Sequence, residues 1–219
     1  MDNPADIMIT VVLASTSPRR QQLLAMADLD FVIHSAEVDE TVQAGESPQD
    51  YIVRMVGAKA VAACHSLVSQ MPVKTASTER QLFLVITSDT IGVLPDGRSI
   101  LVKPIDKEDA FRMWQQMSDT EHAVWTAVQL TLIDECGQVV LTDNLLEKTA
   151  VKFIALNKAA MEDYWRSGEP ADKAGGYAIQ GKGAAWVERI NGSYSNVVGL
   201  PLAQTLAAIK RMQQQAADL

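Results

Sequence analysis

The chain is poor in cysteine, in basic residues and in long apolar runs, and each shortage excludes a class of protein. Among its 219 residues are two cysteines, Cys64 and Cys136, which form no metal-binding spacing and predict a reduced, cytoplasmic protein. Lysine and arginine number 19 against 27 acidic residues, giving a net charge of −8, so we expect no nucleic-acid partner. No apolar run approaches the ~20 residues of a membrane helix, and residues 1–6 are too acidic and polar for a signal peptide, so we expect no membrane association.

Hydrophobic residues make up 47% of the chain and charged residues 21%, which is typical of a soluble globular protein. Strand and helix patterns alternate along the whole length and no stretch resembles a linker, so we predict a single domain over residues 1–219. Two β-rich segments, residues 123–133 and 139–154, surround a turn at 134–138 and predict a long antiparallel pair. The expected fold class is therefore α/β, with a mixed, twisted sheet flanked by helices.

The most informative stretch follows an apolar run at residues 7–13 that predicts a buried strand. A helix is predicted to begin with Pro18 at its first position and to continue over residues 19–26, with the Ser17 hydroxyl as its N-terminal cap. The free N–H groups and the dipole of a helix N-terminus favour an anion, and phosphate is the anion we expect. An ordinary helix cap with solvated arginines is the alternative. The side chains gathered there are Ser15, Ser17, Arg19 and Arg20.

An acidic residue follows the most apolar run of the chain. Residues 82–87 predict a central strand that ends at residues 88–90, which places Asp89 at its C-terminal end. Ligands of open α/β sheets bind outside the carboxyl ends of the strands, so Asp89 is a candidate functional carboxylate. The alternative is a turn residue or a helix cap.

A cluster of acidic residues follows a second predicted strand at residues 31–35. Its members are Glu37, Asp39 and Glu40. One or two such carboxylates can hold Mg²⁺ or Mn²⁺ while the ion bridges to substrate phosphates. The alternative is a solvated loop, which is the more common fate of a run of charges.

Two lysines are candidates for binding phosphate. Lys59 lies among apolar positions of a long helix predicted to begin at Ser47-Pro48, within which Gly57 is interpreted as a point of close packing. Lys103 follows a hairpin predicted around the Asp96-Gly97 turn. Either lysine also fits a solvated surface position, but a triphosphate carries more negative charge than one arginine can balance.

A glycine-rich segment covers residues 175–183. Its spacing from Gly176 to Lys182 fits a phosphate-binding P-loop. However, Gly183 stands where that motif needs Ser or Thr, and no strand precedes the segment, so a P-loop NTPase is excluded. Gln180 remains, and its amide offers both a donor and an acceptor to the edge of a base.

Several local signals complete the predicted order of elements. Asp106 and Asn157 are predicted to cap helices, and the Asn191-Gly192 pair is predicted to form a hairpin turn. Residues 71–81 are predicted to form a surface loop, and the last helix is predicted over residues 201–212.

Five stretches, taken in order, resemble the Maf family of nucleoside triphosphate pyrophosphatases, and the likeness runs from about residue 9 to residue 210. They are residues 15–20, 88–90, 103–104, 172–181 and 192–201. The resemblance implies a fold similar to that of inosine triphosphate pyrophosphatase, with a cleft between two lobes. It also implies hydrolysis of a nucleoside triphosphate between the α- and β-phosphates, a divalent cation (Mg²⁺, Mn²⁺ or Co²⁺) and a cytoplasmic setting.

The resemblance assigns roles to particular residues. Asp89 is implied as the catalytic acidic residue, as general base or as metal ligand, and we expect Glu40 to be a second metal ligand. The residues implied to distinguish substrates are Arg19, Thr90 and Gln180. Those expected to bind the phosphates are Ser15, Ser17, Arg20, Lys59 and Lys103.

Residue types at the three specificity positions indicate the subgroup. Members similar to a dTTP/UTP pyrophosphatase carry Arg, Thr and Gln there, as this chain does, whereas members that act on 7-methyl-GTP carry Trp, Gln and Glu. Three features depart from that pattern: Ser88 replaces the more common alanine, residues 37–41 look more like the methyl-GTP branch, and the insertion at 74–80 is longer than usual.

We therefore expect hydrolysis of dTTP and UTP, and two alternatives stay open. One is a 7-methyl-GTP pyrophosphatase of the same family. The other is a nucleotide-binding regulator of cell division that does not turn over its ligand. The sequence also leaves the oligomeric state open, with a homodimer as the candidate assembly.

Overall fold

The computed structural model describes residues 7–70 and 81–218, and these residues build a mixed sheet with helices packed against it. The strands are β1 (Met8–Leu13), β2 (Val32–Ile33), β3 (Gln81–Val93), β4 (Ile100–Leu101), β5 (Glu121–Asp134), β6 (Val139–Phe153) and β7 (Val187–Asn191). Their order across the sheet is β2-β1-β3-β5-β6-β7, with β4 paired to β3. β1 runs parallel to β2 and β3, and the other pairs are antiparallel. The predicted α/β class with a mixed sheet is confirmed.

Strand β3 joins the parallel and the antiparallel parts of the sheet. Residues 81–86 of β3 pair with β1, and residues 82–93 pair with β5. The prediction that this strand ends at residues 88–90 is wrong, because the ladder to β5 continues after β1 has stopped. Asp89 therefore lies inside β3, beyond the C-terminal end of the neighbouring β1.

The helices begin largely where the sequence places them. They are α1 (Pro18–Ala25), α2 (Pro48–Gln70), α3 (Lys107–Met117), α4 (Lys158–Arg166), α5 (Tyr194–Val198) and α6 (Leu202–Ala217). Both predicted caps are confirmed, since Asp106 accepts a hydrogen bond from Asp109 N–H at 2.8 Å and Asn157 accepts one from Ala160 N–H at 2.9 Å. Helix α6 continues past the predicted end at residue 212.

Three other local predictions need correction. Asn191-Gly192 forms no hairpin, because Ser193 N–H donates to Thr149 Oγ1 at 3.0 Å and the Ser193 hydroxyl caps α5, so the chain enters a helix. Strand β2 is shorter than predicted. Residue 81 belongs to β3, and the rest of the predicted loop, residues 71–80, lies outside the described residues.

Helix α2 meets the length and composition of a membrane span, contrary to the expectation that no apolar segment would do so. One face of the helix packs on the sheet, where Ile52 and Met55 join a buried cluster with Ile91 and Val93. The core helix of a soluble protein has the same composition, so this finding is weak support for a span.

Two of the hydrophobic clusters bring residues to one cleft. The first connects β1, β3 and β5 to α1 and α6 and includes Val198. The second connects α3 and α4 to β5 and β6 through packed aromatic rings and includes Tyr177. Val198 and Tyr177 both line the cleft described below, so the cleft lies between the two clusters.

Two glycines of the core elements differ in how much space surrounds their Cα atoms. Gly57 lies inside α2, where a Cβ would meet only Gln129 Oε1 at 3.7 Å, so the interpretation of Gly57 as a close-packing point is wrong. At Gly92 a Cβ would lie 2.9 Å from Leu101 Cβ, across the β3–β4 pair.

We expect Gly92→Ala to lower the free energy of unfolding by about 1–3 kcal/mol, because the added methyl group overpacks the contact with β4. Gly57→Ala should leave that free energy unchanged or raise it by up to about 1 kcal/mol, because alanine is the better helix former. Urea unfolding of both variants measures the difference. An equal loss in the two would contradict the packing argument.

Candidate functional site

A cleft of about 900 Å³ opens beyond the end of β1. Its walls come from the start of α1, the loop after β2, the interior of α2, the second half of β3 and the glycine-rich loop at residues 173–180. The residues assigned roles from the sequence line this cleft: Ser15, Ser17, Arg19, Arg20, Glu40, Lys59, Asp89, Thr90, Lys103 and Gln180. Of the other two members of the acidic cluster, Glu37 lines the cleft and Asp39 does not.

The centre of the cleft is an ammonium group shared by two carboxylates. Lys59 Nζ lies 2.5 Å from Asp89 Oδ1 and 2.7 Å from Glu40 Oε1. Asp89 is 8% exposed, and the Lys59 ammonium is the cation beside its side chain. Burial alone would raise the pKa of Glu40, but the hydrogen bond and charge of Lys59 dominate and leave that pKa below its ordinary value. The lowered pKa keeps Glu40 as a carboxylate at neutral pH.

Arg20 links α1 to the far end of the chain and to β3. Its Nε donates to Gly199 O at 2.8 Å and its Nη2 donates to Thr90 Oγ1 at 3.0 Å. Nη1 donates to Ser15 Oγ at 3.3 Å. Burial lowers the pKa of Arg20, while the charge of Asp89 raises it. Three different acceptors thus fix the guanidinium group in the cleft.

Several of the predicted site side chains that line the cleft have no partner, or only a distant one, among the described residues. Arg19 and Gln180 take part in no hydrogen bond or ion pair there, and Lys103 lies 4.0 Å from Glu40 Oε2. Ser17 occupies the N-cap position of α1, but its side chain makes no capping hydrogen bond, so that part of the prediction is wrong. Instead Ser17 N–H donates to Ser15 Oγ at 3.2 Å, which leaves the Ser17 hydroxyl free to meet a ligand.

The loop that carries Glu40 is fastened to α2 by residues that the sequence did not single out. Tyr51 Oη donates to the Glu40 carbonyl at 2.9 Å, and Arg54 pairs with both oxygens of Glu46 at 2.6 and 2.7 Å. Burial, followed by the charges of Asp89 and Glu40, raises the pKa of Tyr51 to about 12, so the phenol keeps its proton. Glu46 and Arg54 have opposite charges eight positions apart, and only the folded loop brings them together.

The glycine-rich loop is fixed at its start by backbone contacts. Trp114 Nε1 donates to the carbonyls of Gly175 and Gly176, each at 3.2 Å, and Gly175 N–H donates to Val102 O at 3.0 Å. Farther along, Tyr177 Oη lies 2.8 Å from His122 Nε2. Only the next part of the loop, with Gln180, is left exposed toward the cleft.

Two carboxylates of this cleft, Asp89 and Glu40, could hold a divalent metal if other ligands complete its coordination. No group of three or more His, Cys, Asp or Glu side chains suited to a metal occurs within residues 7–70 and 81–218. Asp89 and Glu40 nevertheless converge on one cation, the Lys59 ammonium. Mg²⁺ in nucleotide enzymes is commonly held by one or two carboxylates together with substrate phosphates, and this pair meets that requirement.

Comparison with known proteins identifies the family. A family model described as Maf-like protein matches residues 10–212. The chain belongs to the Maf-like family. It is 55% identical over 218 residues to a dTTP/UTP pyrophosphatase of Psychrobacter cryohalolentis, covering 92% of this chain and 96% of that protein.

Other relatives have the same name. Identity is 54% to a dTTP/UTP pyrophosphatase of Psychrobacter arcticus (94% of this chain, 96% of that protein). It is 42% to one of Pseudoalteromonas atlantica (92% and 96%). A solved nucleoside-triphosphatase/dITP/XTP pyrophosphatase from Mycobacterium abscessus matches 66% of this chain and 74% of its own with TM-score 0.32 and 13% identity, a likeness from which we argue nothing. The family resemblance inferred from the ordered motifs is confirmed.

In this Maf-like chain we expect Lys59→Met to raise the pKa of Glu40, because the variant loses the cation that holds this pKa down. The lowered pKa stabilises the folded wild type above the ordinary pKa of glutamate, and this stabilisation is lost as the pH falls through the folded-state value. In the variant that acid-dependent loss should shrink. NMR titration of the Glu40 side-chain carboxyl measures the shift.

Lys107→Met is the matched control, because Lys107 pairs with Glu162 on the surface. It should leave the Glu40 titration unchanged. A Glu40 pKa that is the same in Lys59→Met and wild type would contradict the shared-ammonium arrangement.

Proposed function

We propose that the chain hydrolyses nucleoside triphosphates, with dTTP and UTP as substrates, to the monophosphate and pyrophosphate. The observation that carries this proposal is that a buried carboxylate, several cationic side chains and a free amide face one cleft. The similarity to proteins named dTTP/UTP pyrophosphatase supports the substrate class. The cleft is lined by residues from 14 to 199, which supports treating residues 1–219 as one working domain.

At the phosphate end, positive side chains meet the triphosphate. Arg20 is already oriented by Gly199 and Thr90, and Arg19 and the Ser17 hydroxyl are free to contact phosphate oxygens. Lys103 is 64% exposed and can move toward the ligand. Fixed donors of this kind stabilise the charge that develops on phosphoryl oxygens in the transition state.

Asp89 is the residue we place next to the attacking water. Its Oδ1 is held by Lys59, and Oδ2 has no partner among the described residues. Water forms a new O–P bond at the α-phosphorus while the bond to the bridging oxygen breaks and pyrophosphate leaves. Asp89 Oδ2 accepts the proton of that water or orients it.

A divalent cation, Mg²⁺, Mn²⁺ or Co²⁺, is part of the proposal and would be held by Asp89 and Glu40 together with substrate oxygens. When bound it polarises the phosphoryl oxygens and neutralises charge on them. The need for it follows from the charges present. Five cationic side chains face three carboxylates in the cleft, which leaves too little positive charge for a triphosphate. The cations are Arg19, Arg20, Lys59, Lys103 and Lys173, and the carboxylates are Glu37, Glu40 and Asp89.

At the base end, Gln180 offers an amide to the edge of the base, and Arg19 borders the same space. Thr90 acts differently, since its Oγ1 lies 3.0 Å from both Arg20 Nη2 and Thr126 Oγ1. We therefore assign Thr90 an effect on substrate choice through the orientation of Arg20. The cytoplasmic setting and the lack of nucleic-acid and membrane partners stay predictions.

We expect Asp89→Asn to lower pyrophosphate release from UTP and dTTP by at least about 10²–10⁴-fold, because the variant loses the group that accepts the proton. The amide keeps the shape of the carboxylate, so the fold should persist. Steady-state kinetics measure the loss, and calorimetry with a non-hydrolysable UTP analogue measures binding. Asp143→Asn, which alters a surface pair with Arg211, is the control and should keep full turnover.

The same assay separates the alternatives. A pyrophosphate-release screen over standard and modified nucleotides should show dTTP and UTP ahead of 7-methyl-GTP. Preference for 7-methyl-GTP would show that residues 37–41 indicate the subgroup correctly. A wild type that binds nucleotide but releases no pyrophosphate would support the regulator instead.

Activity should require a divalent cation and disappear in EDTA, then return with added Mg²⁺, Mn²⁺ or Co²⁺. Glu40→Gln should raise the metal concentration needed for half-maximal activity, because one of two proposed ligands loses its charge. Glu188→Gln, on the surface of β7, is the matched control and should not change it. Full activity of the wild type in metal-free buffer would exclude this part of the mechanism.

A further inference from the structure

The amide proposed to read the base is presented by a four-residue turn. Gly181 N–H donates to Ala178 O at 3.2 Å, which closes a turn over residues 178–181. Gln180 occupies the third position of this turn and is exposed, and its amide makes no hydrogen bond to the described part of the chain. The position of the Gln180 amide therefore depends on how the turn itself is held.

One pair of side chains holds the backbone on both sides of that turn. Before it, Ala178 N–H donates to Tyr164 Oη at 3.1 Å, and Tyr164 Oη donates to Glu169 Oε1 at 2.6 Å. After it, Lys182 N–H donates to Glu169 Oε2 at 2.9 Å and Gly183 N–H donates to Glu169 Oε1 at 3.2 Å. The Tyr164–Glu169 pair thus connects the backbone before the turn to the backbone after it.

The glycines of the segment allow this close approach. A Cβ at Gly181 would lie 2.3 Å from Glu169 Oε2, and a Cβ at Gly183 would lie 2.8 Å from Tyr164 Oη. Neither position has room for a methyl group. The backbone of the loop at Gly181 and Gly183 therefore packs directly against Glu169 and Tyr164.

The direction of each hydrogen bond is fixed by charge. Burial, with the bond to Glu169, raises the pKa of Tyr164, so its phenol stays protonated and donates. Burial alone would raise the pKa of Glu169, but the bonds from Tyr164 and from the two backbone amides outweigh it and lower the pKa. At neutral pH a carboxylate thus accepts from three donors at once.

The pair is anchored away from the cleft. The Tyr164 ring packs at a centroid distance of 4.5 Å from Trp186 and 5.6 Å from Trp114, inside the aromatic cluster. Neither Tyr164 nor Glu169 lines the cleft, so neither can touch a nucleotide bound there.

We propose that Tyr164 and Glu169 are positioning residues that fix the Gln180 amide for base selection, a role that rests on the proposed function. The pair connects the aromatic cluster to both sides of a turn whose exposed amide makes no hydrogen bond of its own within the described residues. The pair itself takes no part in the chemistry at Asp89.

The test compares Glu169→Gln and Tyr164→Phe with wild type. An amide at 169 presents an oxygen on only one side, so at least one of its three donors loses its acceptor. We expect kcat/KM for UTP relative to GTP to fall by about tenfold, the effect of losing roughly one well-placed hydrogen bond. The fall should arise mainly from a higher KM for UTP, with kcat changed by less than about threefold. Glu162→Gln is the control, because Glu162 lies on α4 as Tyr164 does but pairs with Lys107 of α3, so this variant should keep the wild-type ratio.

A double-mutant cycle separates positioning from simple stability. In a Gln180→Ala background, Glu169→Gln should cause no further loss of selectivity, because the amide that it positions is gone. Additive effects on selectivity, or an equal fall in kcat for every nucleotide with the ratio unchanged, would overturn the proposal. So would wild-type ratios in both single variants. If Glu169→Gln does not fold, the milder Tyr164→Phe decides by the same cycle.

Pyrophosphate release by the wild type tests the proposed function separately from the positioning role. A wild type that releases no pyrophosphate from any nucleotide refutes the proposed function. The ratio of dissociation constants for UTP and GTP, measured by calorimetry on the same variants, then decides the positioning role by itself.

Discussion

The site depends on one ammonium group placed between two carboxylates. Lys59 comes from α2, Asp89 from β3 and Glu40 from the loop after β2, so this contact joins three separate elements. Two carboxylates that face one half-buried space repel each other. The shared ammonium lies between them and offsets that repulsion.

The length of β3 determines where that contact lies. β1 has six residues and β3 has 13, so β3 continues beyond its parallel neighbour with only β5, and briefly β4, beside it. The space left where β1 stops is occupied by the start of α1, with Arg20 reaching across to Thr90. Because the two neighbouring strands differ in length, the second half of β3 is uncovered on the β1 side. Asp89 and the start of α1, with Arg20, lie together there.

Local signals in the sequence predicted the parts of the fold that depend on neighbouring residues. Asp106 and Asn157 were identified as caps because a cap is a contact within three residues. The predicted end of β3 is wrong because residues 87–93 pair with β5 residues about 30 to 40 positions away in the chain. No local pattern in the sequence reveals such a pairing. The cleft residues were found through ordered motifs. Tyr164 and Glu169 were missed because their role exists only after the loop folds against them.

The two ends of the cleft are held by different means, and this separation has a consequence for substrate choice. Ion pairs and the Arg20 hydrogen bonds fix the phosphate end from α1 and α2. Backbone hydrogen bonds to a pair that begins on α4 fix the turn at the base end. In the described residues no hydrogen bond or ion pair joins Asp89, Glu40 or Lys59 to Tyr164 or Glu169. A change in the turn can therefore alter which base is accepted while the groups around Asp89 keep their geometry, because the two sets share only the scaffold.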